Sequence, residues 1–241
     1  MLLFRANLLT PKFEVSAESV PETESSSTET SIHVFSNPLF LPNESSAENI
    51  SAQSCTALHP SIQIMFAELS HLCALMAMSN PSSTKGDLNC FNKKLDAAEQ
   101  RMFRITHCEP GEVNSPSETL FKLRAYPTAG TIFLYLYMRN VPPSSPALDY
   151  FVANLRDALT DGNIIDDTRT FPPDVLFWVL FMGGIASNGR MQRQWFRAQA
   201  KKIQVSLALG SWAVGRRILM RFPFTGPACE SHCQGFWAEL S

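Results

Sequence analysis

Apolar residues recur at intervals of three and four along the chain from about Pro60 onward, which is the spacing of one helix face. Two segments show this pattern most clearly. Their apolar positions are Met65, Leu69, Leu72 and Met76 in the first segment, and Leu88, Phe91, Leu95, Ala98, Met102 and Ile105 in the second. In the second segment Lys93, Lys94 and Glu99 occupy the opposite side. The pattern predicts two helices, each with one buried face.

Two later helices carry signals for their first turn. SPSETLFKL offers Ser115 as an N-cap, Pro116 at the first helical position and Glu118 for a capping box. SSPALDYFVANLRDAL repeats the Ser-Pro start, and its apolar positions are Leu148, Phe151, Leu155 and Leu159. Between them Pro127 is expected to kink a helix, and TIFLYLYM is ambiguous between helix and strand. Because no alternating pattern of any length appears, we predict an all-α fold, an irregular multi-helix bundle.

The most apolar run is FPPDVLFWVLFMGGIAS, residues Phe171 to Ser187. Its uninterrupted core, Val175 to Ala186, is shorter than the roughly 20 residues that cross a bilayer, so we expect no membrane span here. The two prolines suit the first turn of a helix, and the absence of a polar face predicts that protein surrounds it. The glycine pair Gly183 and Gly184 either admits a neighbouring helix or ends this one. We therefore predict the central helix of the bundle.

The first 57 residues differ in composition from the rest. They are rich in Ser, Thr and Glu, and no Lys or Arg occurs from Phe13 to Thr84. Such a segment buries too little apolar surface to offset the entropy of ordering it. We expect residues 1–57 to be a disordered tail, with Phe13 to Ser54 as a candidate acidic activation or linker segment, and residues 58–241 to be the helical domain.

Charge gives one candidate contact surface. The formal net charge of −2 supplies no general attraction for nucleic acid. In GRMQRQWFRAQAKKIQVSLAL, however, a basic stripe recurs at helical spacing, formed by Arg190, Arg193, Arg197 and Lys201. The stripe is either a solvated helix face or a surface that contacts an acidic partner.

Signals for catalysis or metal binding are weak. The six cysteines include no Cys-x2-Cys pair, and Cys229, His232 and Cys233 lack a fourth zinc ligand nearby in sequence. The motifs of phosphate loops, zinc peptidases and serine hydrolases do not occur. We therefore expect no catalytic residue, no metal and no cofactor.

The order of aromatic motifs in the second half resembles that of a known family. LFWVLFMGGIAS, RQWFRAQA, SWAVGRRILMRFPF and ACESHCQGFWAEL together resemble the fungal-specific transcription factor domain of fungal zinc-cluster transcription factors. The resemblance covers about Ser117 to Leu240. Its signature positions, to which it assigns structural roles, are Trp178, Gly183, Gly184, Trp195, Phe196, Trp212 and Trp237.

The resemblance implies a helical regulatory region in a nuclear protein that contacts co-regulators or the transcription machinery and responds to a small-molecule effector. The family's zinc cluster does not occur in this sequence, so we expect no sequence-specific DNA binding by this chain. A cytoplasmic location remains the alternative. A second hypothesis is an all-helical module that binds small molecules or proteins, or a helical enzyme, with a pocket beside Trp178 and Trp195.

Overall fold

The apolar run from Val175 to Ala186 forms the helix at the centre of the molecule. The computed structural model describes residues 58–78, 85–107, 117–165 and 171–240. Every residue from Asp174 to Ala186 is buried, on all sides of the helix. A helix without a polar face is stable in water only when other elements cover its whole circumference. The prediction of a central buried helix is therefore confirmed.

The described part of the chain contains eight α-helices and no strand, which confirms the all-α prediction. In chain order they are α1 (Pro60–Met78), α2 (Lys85–His107), α3 (Ser117–Phe133), α4 (Ala147–Asp161), α5 (Pro173–Ala186), α6 (Arg193–Ser206), α7 (Trp212–Leu219) and α8 (Gly226–Ala238). Helix α3 continues into a π-helical turn, Leu134–Met138, closed by a hydrogen bond from the Arg139 N–H to the Leu134 carbonyl (2.9 Å). The ambiguous segment TIFLYLYM is thus helical.

The helices pack in two groups that share α3. Helix α5 contacts α3, α4, α6, α7 and α8, whereas α1 and α2 contact each other and α3. One continuous apolar core runs through both groups. A shared core allows helices with a single apolar stripe to bury that stripe. Helix α5 lies inside its own group, where five helices surround it.

The predicted helix faces agree with the buried positions. In α1, Met65, Leu69 and Leu72 are buried, and in α4 the same holds for the predicted leucines. Helix α2 differs at one end, because Leu88 is 54% exposed although Leu95 is buried. Leu88 lies in the first turn of α2, and the apolar stripe there extends beyond the part of the helix that contacts the core.

Both ends of α5 are held by short-range interactions. Pro173 occupies the first helical position, as predicted, where its missing N–H costs no hydrogen bond. Buried Asp174 accepts a hydrogen bond from the Val175 N–H (2.9 Å) and lies 3.9 Å from Arg221. At the other end the Ser187 hydroxyl donates to the Gly184 carbonyl (2.7 Å). The helix therefore ends after the glycine pair and not at it.

Some predictions concern residues outside this description. The tail 1–57 and the Ser115–Pro116 helix start lie outside the described residues. Pro127 is inside α3 as expected, and the kink stays a prediction. Ser145, two residues before the start of α4, accepts a hydrogen bond from the Ala147 N–H at 3.4 Å.

Candidate functional site

Arg190, the first residue of the predicted basic stripe, is largely enclosed. Its side chain is 11% exposed and forms an ion pair with Asp149 on α4. Its guanidinium also donates to the carbonyl oxygens of Pro143, Ser145 and Ala186, each at 2.5 Å. A guanidinium has five N–H donors, so a single Arg can satisfy this many acceptors. Arg190 therefore joins the end of α5 to the segment that leads into α4.

Arg193 and Lys201 connect α6 to the C-terminal helix. Arg193 pairs with Glu239 at 2.5 Å, donates to the Gly184 carbonyl, and places its guanidinium carbon 4.6 Å from the centre of the Phe236 ring. Lys201 donates to the Leu240 carbonyl. These two members of the basic stripe therefore bind acceptors within the same chain.

Arg197 differs from the other three members of the stripe. It is exposed on α6 and pairs with none of the described residues. It is thus the member of the stripe whose charge is available to another molecule. Partner contact by the stripe remains a prediction.

Three glycines meet aromatic rings where the helices pack, and four of these six residues belong to the predicted signature: Gly183, Gly184, Phe196 and Trp237. A Cβ atom on Gly183 would overlap the ring of Phe196, and one on Gly184 would overlap the ring of Phe236. Gly215 on α7 has the same relationship with the ring of Trp237. The missing side chains therefore let α6 and α8 approach α5, and α8 approach α7, ring against backbone.

Trp178 lies at the centre of the aromatic core. It is fully buried, packs edge to face on Phe66 (5.3 Å between ring centres), and donates its indole N–H to the Pro223 carbonyl (3.2 Å). Trp195 is half-buried and packs against the core, and Trp212 contacts Trp237. Trp178 has no exposed surface, whereas Trp195 is partly exposed, and the pocket beside Trp178 and Trp195 stays a prediction.

The structure instead has a cavity of about 270 Å³ between α2, α3 and α4. Aromatic side chains form much of its wall, with Phe103 (61% exposed) and Tyr150 (60% exposed) at its edge. The ring of His107 stacks on Phe103 at 3.9 Å. The polar lining of the cavity consists of Glu99, Thr106, His107, Thr128, Thr131, Tyr135 and Asn154.

Glu99 and Tyr135 form a half-buried polar corner of this cavity. The Tyr135 hydroxyl donates to Glu99 Oε1 (2.8 Å), and Arg139 donates to Glu99 Oε2 (3.0 Å). Burial and this hydrogen bond raise the pKa of Tyr135 to about 12. Arg139 also pairs with Asp96 at 2.5 Å, so one guanidinium serves two carboxylates.

Comparison with known families agrees with this architecture. The model of the fungal specific transcription factor domain matches residues 15–222, more than half of the chain. The chain belongs to this family. Searches of curated proteins and of solved structures gave no match. Membership in the fungal specific transcription factor domain family supports a transcription-regulator-like role.

The family match and the motif resemblance overlap without coinciding. The match begins within the Ser/Thr/Glu-rich segment and ends at Phe222, whereas the motifs continue to Trp237 on α8. In this fungal specific transcription factor domain α8 is still part of the core, because Phe236 and Trp237 pack on α5 and its neighbours.

Buried thiols form a second group of interest in the domain. Cys229 and Cys233 are fully buried one turn apart on α8, and Cys73 on α1 is also buried. Burial raises the pKa of Cys73 to about 12. Hydrogen bonding with Cys229, together with burial, raises the pKa of Cys233, and the same bond lowers the pKa of Cys229. Among the described residues no three His, Cys, Asp or Glu side chains are placed to hold a metal ion.

One helix of the domain meets the length and hydropathy of a membrane span. This is α1, Pro60–Met78. A core helix of a soluble protein meets the same test, and α1 contributes Ile62, Met65 and Leu69 to the core.

The cavity was not predicted from the sequence. In the sequence, Glu99 is one of several charged residues on the polar face of α2, and Tyr135 lies 36 residues later in an apolar segment. Nothing local indicates that the two residues meet. A weak signal was available: Phe103 stands on the charged side of α2, where an exposed aromatic residue has no role in packing.

Proposed function

We propose that this chain is the regulatory region of a zinc-cluster-type transcription factor, acting in the nucleus through contacts with co-regulators or the transcription machinery. Membership in the fungal specific transcription factor domain family is the observation that carries the proposal. A nuclear site of action follows from that role, with a cytoplasmic location as the alternative. The proposed role needs no catalytic residue and no cofactor.

The electrostatics of the described residues favour protein contact over sequence-specific DNA binding. Affinity for duplex DNA depends on cationic side chains that are free to neutralise phosphates. Arg190, Arg193 and Lys201 instead bind acceptors within the chain. Arg216 on α7 likewise pairs with Glu230 at 2.7 Å. We propose Arg197 as the basic contact for an acidic partner.

A tethered reporter assay tests the role. Fused to a foreign DNA-binding domain, the chain should change transcription from a reporter that carries the cognate site. Arg197→Glu should weaken this effect at equal protein level, whereas the matched variant Lys202→Glu, also exposed on α6, should leave it unchanged. A well-expressed fusion with no effect on the reporter would contradict the regulatory role.

DNA binding is tested on the isolated chain. We expect weak binding to duplex DNA, without sequence preference, at physiological salt. Binding in the range of about 10⁻⁸ to 10⁻¹¹ M that discriminates between sequences would contradict the proposal, since that range is typical of specific DNA-binding proteins.

A further inference from the structure

We infer that the cavity between α2, α3 and α4 binds a small aromatic amine in its protonated form. The inference names the chemical class of an effector for the regulatory role proposed above. Only the interpretation of the ligand as an effector rests on that role. The binding itself is a property of Glu99, Thr131 and the surrounding aromatic rings.

The size of the cavity sets the size of the ligand. A dry cavity of about 150 Å³ accommodates benzene, with six carbon atoms. By the same ratio, a cavity of 270 Å³ accommodates about eleven non-hydrogen atoms. This is one aromatic ring with a short side chain.

The hydroxyl groups in the polar lining of the cavity present acceptors. A threonine hydroxyl has one proton to donate, and all three lining threonines donate it to a helix carbonyl: Thr106 to Met102 (2.8 Å), Thr128 to Arg124 (2.7 Å) and Thr131 to Pro127 (2.9 Å). The Tyr135 hydroxyl donates its proton to Glu99. The oxygen lone pairs that remain on these four hydroxyl groups can only accept, so a ligand that binds them must bring its own N–H donors. A primary ammonium group brings three. Asn154 and His107 are the lining side chains that also carry N–H groups.

The charge of the site favours a cation. Glu99 lines the cavity, and it shares the Arg139 guanidinium with Asp96, so the three groups carry a net negative charge. Among the described residues that line the cavity there is no Lys or Arg. An anionic ligand would therefore find no permanent positive charge on these side chains, while an ammonium group would gain attraction from Glu99.

The aromatic walls favour the same ligand. Phe103 and Tyr150 expose more than half of their surface at the edge of the cavity, although large apolar side chains lower the free energy of a protein when they are covered. A ligand ring between them would cover this surface. A cation beside the ring faces of Tyr135 or Phe151 would also gain cation–π attraction.

Titration of the purified full chain with three matched compounds tests the inference. Phenethylamine, 2-phenylethanol and phenylacetate share a ring and a short side chain and differ in charge. We expect phenethylamine to bind with a Kd of about 0.1 to 1 mM, 2-phenylethanol to bind at least about fivefold more weakly, and phenylacetate to bind most weakly. Absence of phenethylamine binding at about 10 mM, or equal binding of phenylacetate, would overturn the inference.

Two variants locate the site. Glu99→Gln keeps the shape of the side chain and an acceptor for Tyr135 but removes the charge, so the affinity for phenethylamine should fall about fivefold or more, to that of 2-phenylethanol. Glu230→Gln, a salt-bridged glutamate on α8, is the matched control and should bind as the unmodified chain does. Unchanged phenethylamine affinity in Glu99→Gln would overturn the inference.

Tyr150→Leu is a second variant, and the exposed position of Tyr150 makes the fold insensitive to the change. It should lower the affinity for phenethylamine and for 2-phenylethanol alike. Met220→Ala changes another exposed apolar residue and should leave both affinities unchanged. An unchanged affinity in Tyr150→Leu would count against this cavity. These titrations use purified protein, so their failure would leave the reporter result standing. If the reporter does not respond but the chain still binds phenethylamine, only the regulatory role is contradicted.

Discussion

The ring of Phe196 on α6 occupies the place that a side chain on Gly183 of α5 would fill. Phe236 on α8 has the same relationship with Gly184, one residue along. The two rings therefore hold α6 and α8 against the central helix at a distance that only glycine permits.

This relationship predicts that Gly183→Ala and Gly184→Ala each destabilise the domain. The added methyl group must displace a fully buried ring, and overpacking of this kind costs about 1 to 3 kcal/mol. Chemical denaturation would show the loss as a lower midpoint. Gly235→Ala is the control, because it lies in α8 with nothing within 4 Å of the added Cβ. That variant should gain up to about 1 kcal/mol from helix propensity. Equal stability of all three variants would refute the close approach.

Trp178→Ala should destabilise the domain more strongly. The change leaves a cavity among Phe66, Phe133 and Phe222 and removes the donor to the Pro223 carbonyl. Loss of a buried Trp costs about 3 to 5 kcal/mol, a large part of the stability of a typical domain. Thermal unfolding followed by circular dichroism measures the effect. Trp178→Phe retains most of the ring contacts, so its melting temperature should lie between those of Trp178→Ala and the unmodified chain. An unchanged melting temperature in Trp178→Ala would contradict the central position of Trp178.

Arg190 and Arg197 should respond differently to the same substitution. Arg190→Met leaves three carbonyl oxygens and Asp149 without their shared donor, and we expect a loss of about 2 to 3 kcal/mol. Arg197→Met changes an exposed side chain without a described partner, so stability should stay within about 0.5 kcal/mol. Urea denaturation of both variants compares them directly. Similar stabilities would mean that the Arg190 contacts contribute nothing in solution.

Stability should fall in alkaline solution, in part because of Cys73. Burial raises the pKa of the folded thiol to about 12, above the value of 9.0 for an unperturbed thiol. Between these two values the unfolded chain loses the proton and the folded chain retains it, so the free energy of unfolding decreases as pH rises. Below about pH 8 the group is neutral in both states and contributes no pH dependence.

Cys73→Val tests this contribution, since valine keeps the site apolar without a titrating group. Its melting temperature should decline less between about pH 9 and pH 11 than that of the unmodified chain. Cys90→Val, at an exposed position, is the matched control and should follow the unmodified chain. If the Cys73 and Cys90 variants decline alike, the thiol of Cys73 is not protected by burial.

Local patterns in the sequence determined much of the architecture. The three-and-four spacing of Leu69, Leu72 and Leu155 identified buried helix faces, because a helix with one apolar stripe must bury that stripe. The absence of any polar residue between Val175 and Ala186 identified the central helix for the same reason. The ordered aromatic motifs pointed to the family, and the family match agrees.

Tertiary structure alone decided which side chains meet. The stripe residues Arg190, Arg193, Arg197 and Lys201 are equivalent in a helical projection. Three of them nevertheless bind acceptors up to 47 residues away in the chain, whereas Arg197 has no partner among the described residues. The cavity likewise depends on the juxtaposition of Glu99 on α2, Tyr135 after α3 and Tyr150 on α4. Helical periodicity specifies the face on which a residue lies, because it reflects only the nearest turns. The partner of that face depends on how separate helices pack, and this is set by contacts between residues far apart in the chain.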